Sequence, residues 1–200
     1  MKKKLLALSL ATFLLIAVAT PAVSAEINPI FPALFAEAGL PLEETAPISR
    51  AAFSMLAFET FRSINNDVLP QMEAKNIFSD VGDAPEDMFV VMLYGMGIVN
   101  GVGGNAFAPR RAITRQEACT IIVRVLLRQN SELYTEIETV LQGDVDAADI
   151  NEVAPWAKES VSYMYKKGIL SLKDGRLAPS SELSNEEAML LCSACIQLSK

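Results

Sequence analysis

The chain has 200 residues, with 17 Lys and Arg against 24 Asp and Glu, a formal net charge of −7 and no histidine. That acidic balance argues against a nucleic-acid partner, because phosphate binding calls for a basic face. The lack of His excludes a histidine triad, a histidine general base and any histidine metal ligand.

The first element is an export signal. Lys2, Lys3 and Lys4 precede an apolar run from Leu5 to Val18, and Val23-Ser24-Ala25 supplies small residues for cleavage after Ala25. The run is short for a membrane span, and no Cys lies near it for a lipid anchor. The mature chain, more acidic still without its three leading lysines, is therefore expected to be soluble and extracytoplasmic. It is long enough for one domain with a real core.

Residues 31–40, "FPALFAEAGL", read as a helix ending at Gly39. Residues 46–64, "APISRAAFSMLAFETFRSI", read as a capped helix behind Ser49, followed by a polar connection over 65–76. A further helix runs from about Met88 toward Gly97. In "AITRQEACTIIVRVLLRQN" (112–130), Thr114 and Glu117 form a capping box, and Ala118, Ile121, Ile122, Val125 and Leu126 recur at the helical period. Arg115 stands out there, because a cation in the first turn opposes the helix dipole. Span 129–142 reads as a second polar connection, and 155–168 as a helix stopped by Gly168. Ser184 and Glu187 then open a last capped helix.

These elements repeat. Residues 88–118 match 155–188: Gly97-Ile98 pairs with Gly168-Ile169, Phe107-Ala108-Pro109 with Leu177-Ala178-Pro179, Thr114 with Ser184 and Glu117 with Glu187. "IFSDV" matches "LQGDV", which pairs Asp80 with Asp144. An earlier copy, 46–64, aligns with 111–129 but lacks the F-x-P element and has Ala52 where the others have Glu. Cys192 and Cys195 take the places of Ile122 and Val125, so "CSAC" reads as buried packing rather than a redox pair. Asp144, Asp146 and Asp149 depart from a calcium loop at its fifth and sixth positions, so no metal is expected. Trp156 is either a sugar platform or a core anchor, its counterpart being Phe89; both readings stay open. Tyr94, Tyr163 and Tyr165 fit core packing, with hydroxyls available at a groove edge.

The ordered set "FSDV…GMGIVNGVGGNAFAPRRAITRQEA", with Trp156-Ala157 in the later copy and "PISRAAF" in the earlier one, resembles the S-layer homology (SLH) domain family. The resemblance implies an all-α fold of three helix-loop-helix repeats around a shared helical core, pseudo-threefold, with residues 1–25 as signal peptide and repeats at 26–70 (degenerate), 71–135 and 136–200. It also implies binding of an anionic secondary cell-wall polysaccharide, with a pyruvate ketal as the charged group, at the bacterial cell wall or S-layer. The implied ligand residues are Arg115 and Arg50, with Asn185 in the third copy, their capping neighbours Thr114, Ser49 and Ser184, and Trp156, Asp80 and Asp144. An arginine at a helix start would then face a carboxylate, against the bland alternative of a solvated side chain. No cofactor, membrane contact after cleavage or catalysis is expected. A protein cargo or S-layer partner is left open, as is a structural role for units that no longer bind glycan.

Overall fold

The structure is a computed structural model that describes residues 26–66, 75–130, 132–141 and 145–199. The expected export signal and Asp144 lie outside the described residues. Among those residues there are α-helices and two short 3-10 turns but no β-strand, so the chain is all-α as expected. The helices are α1 (Ile30–Glu37), α2 (Arg50–Ile64), α3 (Asp87–Gly95), α4 (Arg115–Gln129), α5 (Leu133–Leu141), α6 (Lys158–Lys166) and α7 (Asn185–Leu198). Among the described residues no helix is long and apolar enough to cross a membrane.

Local sequence chemistry sets the helix ends. Gly39, Gly97 and Gly168 follow α1, α3 and α6 with φ of 65°, 73° and 70°. In each case the glycine and the next residue donate back into the last helical turn: Ile98 N–H to Leu93 O, Ile169 N–H to Met164 O and Leu40 N–H to Phe35 O, all at 2.9 Å. This left-handed stop satisfies carbonyls that the helix leaves open. At the other end, Ser49 Oγ accepts from Ala52 N–H at 3.1 Å, and Ser184 Oγ from Glu187 N–H at 3.1 Å. Glu117 and Glu187 reach back to the N–H groups of Thr114 and Ser184, at 3.0 and 3.1 Å. The reciprocal box is therefore present at α4 and α7, while α2, with Ala52, has only its serine.

The span 129–142, expected as a polar connection, instead contains α5. This helix buries Leu133 and Ile137 at i, i+4 and packs against α6 and α4. Its apolar residues are few but fall at helical spacing, and tertiary packing decides their state.

The core forms around α2, where every residue from Arg50 to Phe61 is buried. A helix buried on all sides must be covered all round, and α3, α4 and α7 do so. Three extended residues tie the starts of α2, α4 and α7 together. Ile48 N–H donates to Leu183 O at 2.9 Å, Leu183 N–H to Ile113 O at 3.0 Å, and Ile113 N–H to Ile48 O at 3.0 Å. The ring of bonds is closed, and its three side chains are buried.

Cys119, Cys192 and Cys195 are free thiols with no exposed surface. Burial pushes the Cys119 and Cys192 thiols up to about 12, so at pH 8 the reactive thiolate is rare. Labelling of native protein with a thiol reagent at pH 8 should therefore proceed only as fast as the core opens, and denatured, unreduced protein should yield all three thiols. Rapid native labelling, or a single free thiol after denaturation, would contradict this packing.

Candidate functional site

The first residues of α2, α4 and α7 define the site's framework. Each helix start carries N–H groups without an intrahelical acceptor. For α2, Arg50 N–H donates to Arg111 O and Ala51 N–H to Pro109 O. For α4, Arg115 N–H donates to Ser181 O and Gln116 N–H to Pro179 O. For α7, Asn185 N–H donates to Ala46 O and Glu186 N–H to Glu44 O. Each helix start is thus capped by a turn from another part of the chain. Residues 43–46 take the place that the F-x-P turns fill elsewhere.

The side chains at these positions follow the same pattern. Arg115 is 3% exposed. Its Nε donates to Leu177 O at 2.8 Å, Nη2 to Ser171 O at 2.5 Å and Nη1 to Glu187 Oε1 at 3.4 Å. Arg50, equally buried, donates to Phe107 O at 2.9 Å, Asn100 O at 3.3 Å and Glu117 Oε1 at 3.1 Å, and its guanidinium lies 4.4 Å from the Phe107 ring centre. Asn185 Nδ2 donates to Glu43 O at 2.8 Å. The cation that opposes the dipole of α4 is met by carbonyl oxygens of this chain and one glutamate. Neither a solvated Arg115 nor one open to a groove is what the structure has. Burial lowers the Arg50 pKa, and Glu117 partly offsets it.

Two carboxylates hold the turns that receive these donors. Asp80 Oδ1 and Oδ2 accept from Phe107 and Ala108 N–H, both at 2.8 Å. Asp149 does the same for Leu177 and Ala178 N–H, at 2.8 and 2.7 Å. Ala108 and Ala178 sit in the left-handed region with φ of 58° and 49°, a conformation that costs alanine about 1 kcal/mol or more. Carboxylate acceptance of adjacent N–H groups holds that bend. The partner of Asp80 is therefore Asp149, not Asp144. "GDV" at 143–145 imitates the motif in letters, but the bonds belong to "ADI" at 148–150. The counterpart of Trp156 needs the same correction. Counting back from Gly97 and Gly168, Trp156 corresponds to Pro85, whereas Phe89 packs on Phe58 with ring centres 5.4 Å apart.

The junction around Arg50 opens into a cleft of about 460 Å³. One wall is a face of α4, with Glu117, Thr120, Ile121 and Arg124 at i, i+3, i+4 and i+7. The other walls are Asn100 to Val102 and Trp156. Trp156 is 57% exposed on the 3-10 turn Pro155–Ala157, anchored by the buried Ala157. Glu117 is compensated by Arg50, by Arg111 at 2.6 Å and by Thr114. Burial disfavours its charge, but these donors outweigh it and hold its pKa below the usual value. Arg124, which the sequence reading did not single out, is half-buried and donates only to Ile98 O, at 3.3 Å. Among the described residues no carboxylate pairs with it, and burial lowers its pKa. The cleft therefore combines an exposed indole face with an uncompensated guanidinium. A second cleft, about 430 Å³ at the opposite end of the bundle, has its Lys167 paired with Glu136 at 2.8 Å.

Residues 77–119 and 148–189 match the family model of the S-layer homology domain. The second match includes Asp149 and begins after Asp144. A cell surface protein of Thermoanaerobacter kivui is 27% identical over 132 residues, which are 65% of this chain. The chain spans only 16% of that relative's length.

Arg115→Ala should lower stability by about 2–4 kcal/mol, since it strands the buried carbonyl of Leu177 and leaves Ser171 O and Glu187 without their donor. Arg111→Ala, at a 43% exposed side chain, should cost under about 1 kcal/mol. Urea unfolding of both variants measures the difference, and equal losses would refute the buried role.

Asp149 gives a pH signature. Burial disfavours its charge, but the Leu177 and Ala178 N–H groups and Arg176 outweigh that and lower its pKa. Its contribution is thus full above the unfolded value of about 4 and fades as pH falls through the folded value. The stability gap between wild type and Asp149→Asn should be widest near pH 7 and shrink below pH 4, as read by thermal melts across pH. A constant gap would show that charge is not the cause.

Proposed function

We propose that this chain, which belongs to the S-layer homology domain family through its two matched segments, binds an acidic cell-wall polysaccharide in the Arg124–Trp156 cleft. Domains of this family anchor proteins to the cell surface through such polymers. The observation that carries the reading here is Arg124: a half-buried guanidinium with no carboxylate partner among the described residues, beside an exposed indole. A guanidinium offers paired donors to a carboxylate, and an indole face suits the apolar side of a sugar ring. A pyruvate ketal supplies both partners in one unit, a carboxylate on a ring.

In this reading the residues named from the resemblance divide by position. Arg50 and Trp156 line the cleft, with Thr114 at its edge through Glu117. Arg115, Asn185, Ser49, Ser184 and Asp80 build the frame that shapes it. The role is binding rather than catalysis. Glu117 is the carboxylate in the cleft, and its donors hold it ionised, whereas glycoside hydrolysis needs a protonated acid with a second carboxylate opposite. Surface retention by cell-wall polymer, in an S-layer or beneath it, follows, with the exported chain carrying its own anchor.

Arg124→Gln should weaken binding of a pyruvylated disaccharide about 10- to 100-fold, as expected for one lost charged hydrogen bond, with the melting temperature little changed. Trp156 is the only tryptophan, so its emission should shift on binding. Purified sacculi should retain the wild type and release it once hydrofluoric acid has stripped the polymer. Equal retention on stripped sacculi would exclude the polymer as ligand. Loss of retention in neither variant nor stripped wall would favour a surface-assembly role without glycan.

A further inference from the structure

The cyclic bonds that join the starts of α2, α4 and α7 also define three equivalent places where a cleft can form, one beside each helix. We infer, resting on the glycan reading above, that this chain holds one acidic glycan unit and that only the cleft at α4 takes it.

Equivalent positions at the three helices carry different chemistry. Beside α4 stand Thr120 and Arg124, with Trp156 opposite. Beside α7, counting from the helix start, Thr120 becomes Leu190 and Arg124 becomes Ala194, which is 2% exposed. Counting back from Gly39 as from Gly168, the place of Trp156 falls to Ile27, a partly buried residue packed against the core. The neighbouring contact of Asn28 N–H with Ser193 Oγ at 2.9 Å puts that segment against α7. The α7 place is thus apolar and has no guanidinium on its helix wall. Lys173, near its mouth, faces Glu187 at 3.7 Å.

Beside α2 the change goes further. Thr120 becomes the buried Met55, and Arg124 becomes Glu59, whose carboxylate holds Arg62 at 3.0 Å. The indole position is Pro85, which has no aromatic face to offer a sugar ring. A carboxylate where the α4 cleft has a cation repels an anionic ligand rather than attracting it. The chain between α1 and α2 is also shorter than that between α3 and α4, which carries Asn100–Val102.

The packing beneath the walls differs in a matching way. A Cβ on Gly101 would meet Ala106 O at 2.6 Å and the Phe78 ring at 2.8 Å. At α7 the equivalent pair is Leu172 and Ala147, so the large side chain has moved from beneath the wall to the wall itself. Leu172, the counterpart of Gly101, is 37% exposed.

Equilibrium dialysis of the folded chain against a pyruvylated disaccharide, run beside a Trp156 emission titration, tests this. Dialysis counts every bound ligand, whereas the single indole reports only the α4 cleft. Both should saturate at one ligand per chain with the same midpoint, and Arg124→Gln should shift the midpoint of both readouts together by the same factor of about 10 to 100. Two or three ligands by dialysis with the emission complete at one, or dialysis binding that keeps its wild-type midpoint in Arg124→Gln while the emission midpoint shifts, would overturn the single-site inference and leave glycan binding by the chain standing. No binding of wild type in either readout would overturn both. Circular dichroism confirms that the variant is folded.

Discussion

Everything in this chain hangs on how three helix starts are satisfied. A helix leaves its first N–H groups without acceptors, and burying them bare would cost several kcal/mol. Here the acceptors are main-chain oxygens of distant turns: Pro109 and Arg111 for α2, Pro179 and Ser181 for α4, Glu44 and Ala46 for α7. No helix start is complete by itself, so the parts of the chain are obliged to close on one another. The arginines strengthen the same junction, since each guanidinium takes two further carbonyls and a glutamate from the segment that caps its helix.

This arrangement resolves the apparent misplacement of Arg115. The helix dipole disfavours a first-turn cation by about 0.3–1 kcal/mol at an exposed site. Carbonyl oxygens at 2.8 and 2.5 Å, in a site 3% exposed, outweigh that. The strained turns are the other half of the device. Left-handed Ala108 and Ala178 direct successive N–H groups onto Asp80 and Asp149, which frees the carbonyls of Phe107 and Leu177 to face the arginines. The Asp, the turn and the Arg form one connected polar unit.

The parts of the fold written in side-chain patterns were legible in the sequence. Capping residues, glycine stops, the all-α class and the burial of Cys192 and Cys195 all follow from spacing and residue type. What could not be read was anything whose partner is a carbonyl, because every residue has one and the sequence does not mark which is used. That is why Arg115 and Asn185 drew a ligand reading. Asp144 matches Asp80 letter for letter through Asp-Val, whereas Asp149-Ile150 carries the bonds. Arg124 did leave a signal. The face 117, 120, 121, 124 reads Glu-Thr-Ile-Arg, against Glu-Leu-Leu-Ala at α7 and Ala-Met-Leu-Glu at α2. One helix keeps a polar stripe where its two counterparts are largely apolar, and a stripe that packing does not require is a place to look for a ligand.

The division of work among the arginines follows from their acceptors. A guanidinium with its donors already committed to fixed carbonyls can take an external carboxylate only by giving those bonds up. The stranded carbonyls would then cancel much of the gain. Arg124 has one long bond to Ile98 O and, among the described residues, no carboxylate, so an incoming anion adds interactions without breaking any of comparable strength. Its partial burial also reduces the water that would screen the pair. Framework and recognition thus call for opposite environments around the same chemical group. In the proposed site both lie within one cleft, with Arg50 held by three acceptors at the floor and Arg124 by one on the wall.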